Sequence, residues 1–269
     1  LNKNISIIGC GWLGTPTAKK LLELGYKVKG STTQLNKVAT LKELGIAPYQ
    51  ISLHENEING DIASFLRNSD IALINVPPKL RGPNKENYVA KMQLLYQELI
   101  NAQCKWVLFV SSTSVYGDAE GIITEDTPTQ PITESGKQLV QAEALFKKGP
   151  WKTTVIRFGG LIGPNRHPVN HLSGKSNLTN GDELVNLIHL DDCIHMITTI
   201  LLHEYAEITF NGVYPNHPTK REYYTQEAVR KGLKPPGFSQ KIKNFPQKKI
   251  LCRNFLNKNH FLQTTLKST

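Results

Sequence analysis

Three glycines in Gly9-Cys10-Gly11-Trp12-Leu13-Gly14 carry the spacing G-x-G-x-x-G. That spacing suits phosphate chemistry. Gly9 permits a tight turn, Gly11 lets a pyrophosphate approach the backbone, and Gly14 lets a helix pack closely on a strand. A helix opening behind the loop presents unpaired N–H groups and a partial positive charge to an anion. Alone the pattern is weak; its surroundings decide. The residues expected to touch a dinucleotide are Gly9, Gly11, Trp12, Leu13 and Gly14 at the pyrophosphate, Ser31, Thr32 and Thr33 at the adenosine ribose, and Asn75, Val76, Pro77 and Ser111 along the remainder. Trp12 either packs over the cofactor or fills the junction between helix and sheet.

The end of the second strand selects the cofactor. An Asp or Glu there would bind the ribose hydroxyls and favour NAD. This chain has Gly30-Ser31-Thr32-Thr33-Gln34, with hydroxyls and Lys37 but no carboxylate and no arginine. NADP is favoured over NAD, with NAD the alternative.

The elements needed to position these residues follow. Asn4–Ile8 reads as a buried strand, and Thr15–Leu24 as a helix with Pro16 in its first turn and Gly25 at its C-cap. Tyr26–Gly30, residues 48–53, Asp70–Val76, Trp106–Val110, Thr153–Phe158 and Ile208–Tyr214 read as further strands. Helices are expected over 38–44, 61–68, 87–101, 135–148 and 191–202. Such alternation predicts an α/β fold, a doubly wound parallel sheet of about seven strands with a smaller C-terminal substrate region. The expected division is residues 1–158 for dinucleotide binding and 159–269 for the substrate side, with about 184–214 returning to the sheet. Residues 111–131 and 159–181 read as loops. Residues 217–249, rich in Pro, Gly and Lys, carry no expected helix.

Composition narrows the class. The chain has 269 residues, 39% hydrophobic and 20% charged, enough for a full core. No apolar run approaches the ~20 residues of a membrane span. The short stretch Ile5–Ile8 gives no expectation of a signal peptide, and the dispersed Cys10, Cys104, Cys193 and Cys252 suit reduced thiols; the expectation is a cytoplasmic protein. The formal charge is +10, and its excess lies in residues 220–269, where Glu222 and Glu227 are the only acids. A basic C-terminal face suggests an anionic partner or simply a solvated surface.

Ser111-Ser112-Thr113-Ser114-Val115-Tyr116-Gly117-Asp118, taken with the glycine loop, resembles the extended short-chain dehydrogenase/reductase superfamily, the NAD-dependent epimerases and dehydratases acting on nucleotide sugars. Three further segments are similar: Thr124–Pro128 to the "E–x–P" stretch, Arg157–Pro164 to the "R…GP" turn, and Asn186–Asp192 to the "IHVDD" segment. The resemblance spans roughly residues 3–215. It implies that Ser112 orients a substrate hydroxyl. It also implies a Tyr-x-x-x-Lys pair, whose Tyr moves the proton and whose Lys lowers the Tyr pKa and holds the nicotinamide ribose. Here the pair is missing. Aligning Lys137 with the family lysine puts Thr133 at the Tyr position; aligning Glu143 with the family's downstream Glu gives Ser135 and Leu139. The loop is also one residue shorter than the usual G-x-x-G-x-x-G. These departures resemble the atypical YeeZ-like subgroup, which lacks that Tyr.

Ser112 and Lys137 are the candidate catalytic residues. Tyr116 and His167 are conceivable replacements for the Tyr, against readings as a structural turn residue and a residue in a flexible polar loop. His189, Asp191, Asp192 and His195 crowd together, as do His167 and His171, yet capping by Asp191 or Asp192 and loop support by His189 account for the first set, and no metal is expected. The favoured function is an NAD(P)-binding oxidoreductase or epimerase-like enzyme of altered mechanism on a small anionic substrate, such as a nucleotide-linked or phosphorylated sugar. The alternative is a catalytically inactive dinucleotide-binding sensor. A third reading, nucleic-acid binding, rests on Tyr223, Tyr224, Phe238, Phe245 and Phe255 interleaved with Lys241, Lys243, Lys248 and Lys249; core formation competes for the same aromatics.

Overall fold

Seven parallel strands form the centre of the protein. The structure is a computed structural model and describes residues 3–80, 85–240 and 247–266. The central strands and the longer helices run β1 (Asn4–Ile8), α1 (Gly14–Glu23), β2 (Lys27–Thr32), α2 (Asn36–Glu43), β3 (Ala47–Gln50), β4 (Ile71–Ile74), α3 (Tyr88–Asn101), β5 (Trp106–Ser112), α4 (Glu134–Lys147), β6 (Lys152–Phe158), α5 (Leu190–Leu202), β7 (Thr209–Gly212) and α6 (Lys220–Arg230). Their order across the sheet is β7-β6-β5-β4-β1-β2-β3. The order reverses between β1 and β4, and a ligand crevice in such a sheet opens beyond the C-terminal ends of those strands.

The strand sequences explain the two-faced core. Side chains alternate across a strand. Ile5 and Ile7 of β1 therefore join Leu73, Leu108 and the α5 residues Met196 and Ile200 on one face. Ile8 joins Ile74, Phe109, Met92 and Phe146 on the other. Each fully buried side chain of this size contributes roughly 1.5–3 kcal/mol. A third, smaller cluster of Ile162, Val169, Leu187, Tyr223 and Tyr224 is built from residues that follow β6.

Three local features depart from expectation. The second strand continues through Thr32, so Ser31 and Thr32 are strand residues. The Lys-rich region forms helix α6, opened by a Thr219–Glu222 capping box. Two three-residue pairings shape the loops: Gly121–Ile123 with Lys248–Ile250, and Gly160–Ile162 with Leu187–His189.

Candidate functional site

A cleft of about 1230 Å³ opens over the C-terminal ends of β1, β4 and β5. Gly9, Gly11, Trp12, Leu13, Ser31, Thr32, Thr33, Asn75, Val76, Pro77, Ser111 and Ser112 all line it. Gly14 does not, and its place explains why: a Cβ there would lie 2.2 Å from the Gly9 carbonyl oxygen. Gly9 has φ +103°, and a Cβ on it would lie 2.6 Å from the Asn75 oxygen. Gly11 differs from both, with open space where its Cβ would be. Two glycines thus let the loop pack, and the third leaves room for a ligand.

Neighbours hold the loop. The Asn75 side chain donates to the Gly9 oxygen at 3.1 Å, and Gly9 N donates to the Ser31 hydroxyl at 3.0 Å. Gln34 N donates to the Thr32 hydroxyl at 3.2 Å, while Thr33 and Lys37 are exposed on the cleft rim. Helix α1 starts with no side chain capping it. Burial pushes the Cys10 thiol up to about 12, so the loop's sulfur is an inert packing atom against Gly30.

The other catalytic candidates separate. The Ser112 hydroxyl accepts from Ser114 N at 3.1 Å on the cleft wall. Lys137 is exposed and does not line the cleft. Thr133 is the N-cap of α4, accepting from Gly136 N at 3.1 Å. Glu143 settles which helix face points inward. It is buried in a forked pair with Arg157, at 3.1 Å from Nε and 2.7 Å from Nη2, and it accepts from Ser111 Oγ at 2.5 Å. Positions 135 and 139 share its face. Leu139 lines the cleft there, so this face presents Ser135 and Leu139.

Tyr116 and His167 lie outside the cleft lining. The Tyr116 hydroxyl donates to Asn211 at 2.8 Å and accepts from Arg157 at 2.9 Å, which makes it part of the buried ion-pair network. His167 is a core residue rather than part of a flexible loop. It lies 2.9 Å from the Tyr223 hydroxyl and 3.6 Å from Glu227, and burial lowers its pKa to about 4. His189 itself caps α5, accepting from Asp191 N at 3.3 Å. Asp192 is fully buried and accepts from Gln263 N at 2.6 Å and Thr264 N at 3.2 Å. Among the described residues no cluster of three or more His, Cys, Asp or Glu is arranged to hold a metal.

The far wall contains Arg166 and Lys220, which spacing alone did not single out, together with Asn186, Tyr224 and Lys248. The Lys248 ammonium donates to the Gly117 oxygen, and burial lowers its pKa. Burial pushes Tyr224 up to about 12, away from the ionised form a proton-abstracting Tyr needs. Tyr223, Tyr224 and Phe255 are buried in cores, which leaves them no face for stacking on bases. Phe245, Lys241 and Lys243 lie outside the described residues. Among the described residues all four cysteines are free thiols and no helix is long and apolar enough to cross a membrane.

Residues 5–211 match the NAD dependent epimerase/dehydratase family, and the chain belongs to it. Protein YeeZ of Escherichia coli K12 is 35% identical over 242 residues, spanning 89% of this chain and 88% of its own. The UDP-glucose 4-epimerase of Thermotoga maritima shares the fold with a TM-score of 0.79 at 17% identity, over 98% of this chain and 95% of its own. MoeE5, solved with UDP-glucose and NAD, does so with a TM-score of 0.78 at 19% identity, over 98% and 95%.

Proposed function

We propose that the chain is an NAD(P)-binding, nucleotide-sugar epimerase- or dehydratase-like oxidoreductase whose active site lacks the Tyr–Lys pair. One observation carries the reading: Gly11 alone in the loop has an open Cβ position, and it faces the cleft that holds the other expected cofactor residues. The Gly11 backbone and the uncapped start of α1 receive the pyrophosphate. Thr33 and Lys37, at the rim, favour the 2′-phosphate of NADP. When bound, the nicotinamide ring gives or takes hydride. Ser112 accepts from its own turn, so its hydroxyl proton is left to donate to a substrate oxygen. Lys248 takes the proton-transfer role: it lines the cleft, its ammonium is held by the Gly117 oxygen, and burial lowers its pKa. A small anionic substrate is in keeping with the UDP-glucose held by MoeE5.

The test follows NADPH or NADH oxidation with carbonyl compounds and, because epimerisation and dehydration return the cofactor unchanged, product formation by chromatography with nucleotide sugars, with Ser112→Ala and Lys248→Met beside the wild type. Each variant is expected to lose about 10²-fold or more in turnover. Unchanged turnover in either variant removes that residue from the mechanism. A second reading, a dinucleotide-binding sensor, is favoured by Ser135 and Leu139 on the helix face where Tyr and Lys would stand. Tight dinucleotide binding with no turnover on the whole panel selects it.

A further inference from the structure

The turn after β6 crosses to the glycine loop. Gly163 and Arg166 close it with paired backbone hydrogen bonds of 2.9 and 3.0 Å. Trp12 Nε1 donates to the Pro164 oxygen at 3.0 Å, which ties the loop to this turn. The Arg166 guanidinium then lies 4.9 Å from the centre of the Trp12 ring. Arg166 lines the cleft, yet among the described residues it has no carboxylate within ion-pair distance. Its cation is oriented by an aromatic face and left without an anion.

We propose that Arg166 is the outer clamp on the dinucleotide pyrophosphate, closing over the ligand from the side opposite Gly11. This rests on the dinucleotide reading above and adds a residue that the loop motif does not contain. The physical case has three parts. Gly11 and Arg166 line the same cleft, and Trp12, which follows Gly11 in sequence, carries the guanidinium on its ring. A guanidinium presents a planar fork that matches two phosphate oxygens, and stacking on an indole fixes that fork's plane. The turn is anchored in place before any ligand arrives, by the Trp12–Pro164 bond and by Gly163, whose Cβ position is 3.0 Å from Leu190 Cβ. An arginine absent from the glycine loop is thus supplied by the turn that Trp12 holds through Pro164, 152 residues away in sequence. Its target is the phosphate pair shared by NAD and NADP, not the 2′-phosphate.

Calorimetric titration of the full chain with NADH, NADPH, ADP and adenosine tests this. Arg166→Ala is expected to weaken NADH, NADPH and ADP alike by about tenfold or more and to leave adenosine unchanged. Arg166→Lys keeps the charge without the fork and is expected to fall between the two. Arg166→Gln retains most of the stem, so it serves if the alanine variant melts early. Loss confined to NADPH would place the guanidinium on the 2′-phosphate and overturn the clamp. Unchanged ADP affinity in Arg166→Ala and Arg166→Gln overturns it as well. Gly11→Val separates the two levels: if it abolishes binding while Arg166→Ala binds normally, the clamp alone fails. If the wild type binds no dinucleotide and no ADP, both readings fail.

Discussion

The two walls of the cleft are built by different means. The glycine-loop wall is backbone packed on backbone. Gly9 and Gly14 approach Asn75 and each other more closely than any side chain would allow, and the strands beneath are in parallel register. The opposite wall is assembled from side chains that reach across long stretches of sequence. Asn186 donates to the Lys248 oxygen at 2.9 Å and accepts from Ile250 N at 2.9 Å. Glu125 accepts from Asn211 N at 3.0 Å and Asn254 N at 3.1 Å. A backbone wall constrains residue type at fixed spacing. A side-chain wall constrains only which residues meet after folding.

That contrast predicts where single substitutions hurt most. Behind the cleft-lining Ser111 lies the buried Arg157–Glu143 pair, with Tyr116 attached. Arg157→Met leaves a buried carboxylate unpaired and is expected to cost about 3–5 kcal/mol in urea denaturation. Combining it with Glu143→Leu should recover much of that loss, because both charges then leave the interior. A cost below about 1 kcal/mol for Arg157→Met would show that the Glu143 carboxylate finds another partner or water once the arginine is gone.

In the core beside Tyr223, outside the cleft lining, His167 gives a pH-dependent effect. Its ordinary pKa is 6.5 and burial lowers it to about 4. Between those values the unfolded chain binds the proton and the folded chain does not, so acidification favours unfolding. Stability from this group is complete above pH 6.5 and is lost as pH falls toward 4, by up to about 3 kcal/mol. His167→Gln should flatten that arm of the stability–pH curve. The same slope in the variant would assign it to other groups. The smallest effect is expected at the α6 cap: Thr219→Ala should cost about 1 kcal/mol by thermal melting, with the glycine-loop wall and its ligand affinity undisturbed.

Legibility in the sequence follows the same division. Gly9, Gly11, Gly14 and Asn75 could be placed because turn geometry and a strand end dictate them. The choice between Thr133/Lys137 and Ser135/Leu139 could not be made from spacing. It depends on which helix face meets Arg157, a contact 14 residues away in sequence. His167 sits among polar and Pro residues, so nothing local announces its burial under Tyr223. Helix α6 did leave a signal in Thr219-x-x-Glu222, but its buried face includes Tyr223, Tyr224 and Glu227, which makes a poor apolar stripe. The three-residue strands Gly121–Ile123 and Lys248–Ile250 are too short to show a period. Arg166 gave no sign of its role, since its partner Trp12 belongs to the other end of the chain.

The pairing of Lys248–Ile250 with Gly121–Ile123 has a consequence for biosynthesis. Translation delivers residues in order, at roughly 5–20 per second. Every strand of the central sheet has been made by residue 212, well before the segment that completes the far wall. Until that segment emerges from the ribosome, Gly121–Ile123 has no partner strand, and the Asn211 side chain has no Leu251 oxygen to bind. Asp192, fully buried in the finished fold, also lacks Gln263 and Thr264. A nascent chain therefore carries a nearly complete dinucleotide wall beside an open, unsatisfied flank. That flank is what a chaperone would meet during synthesis.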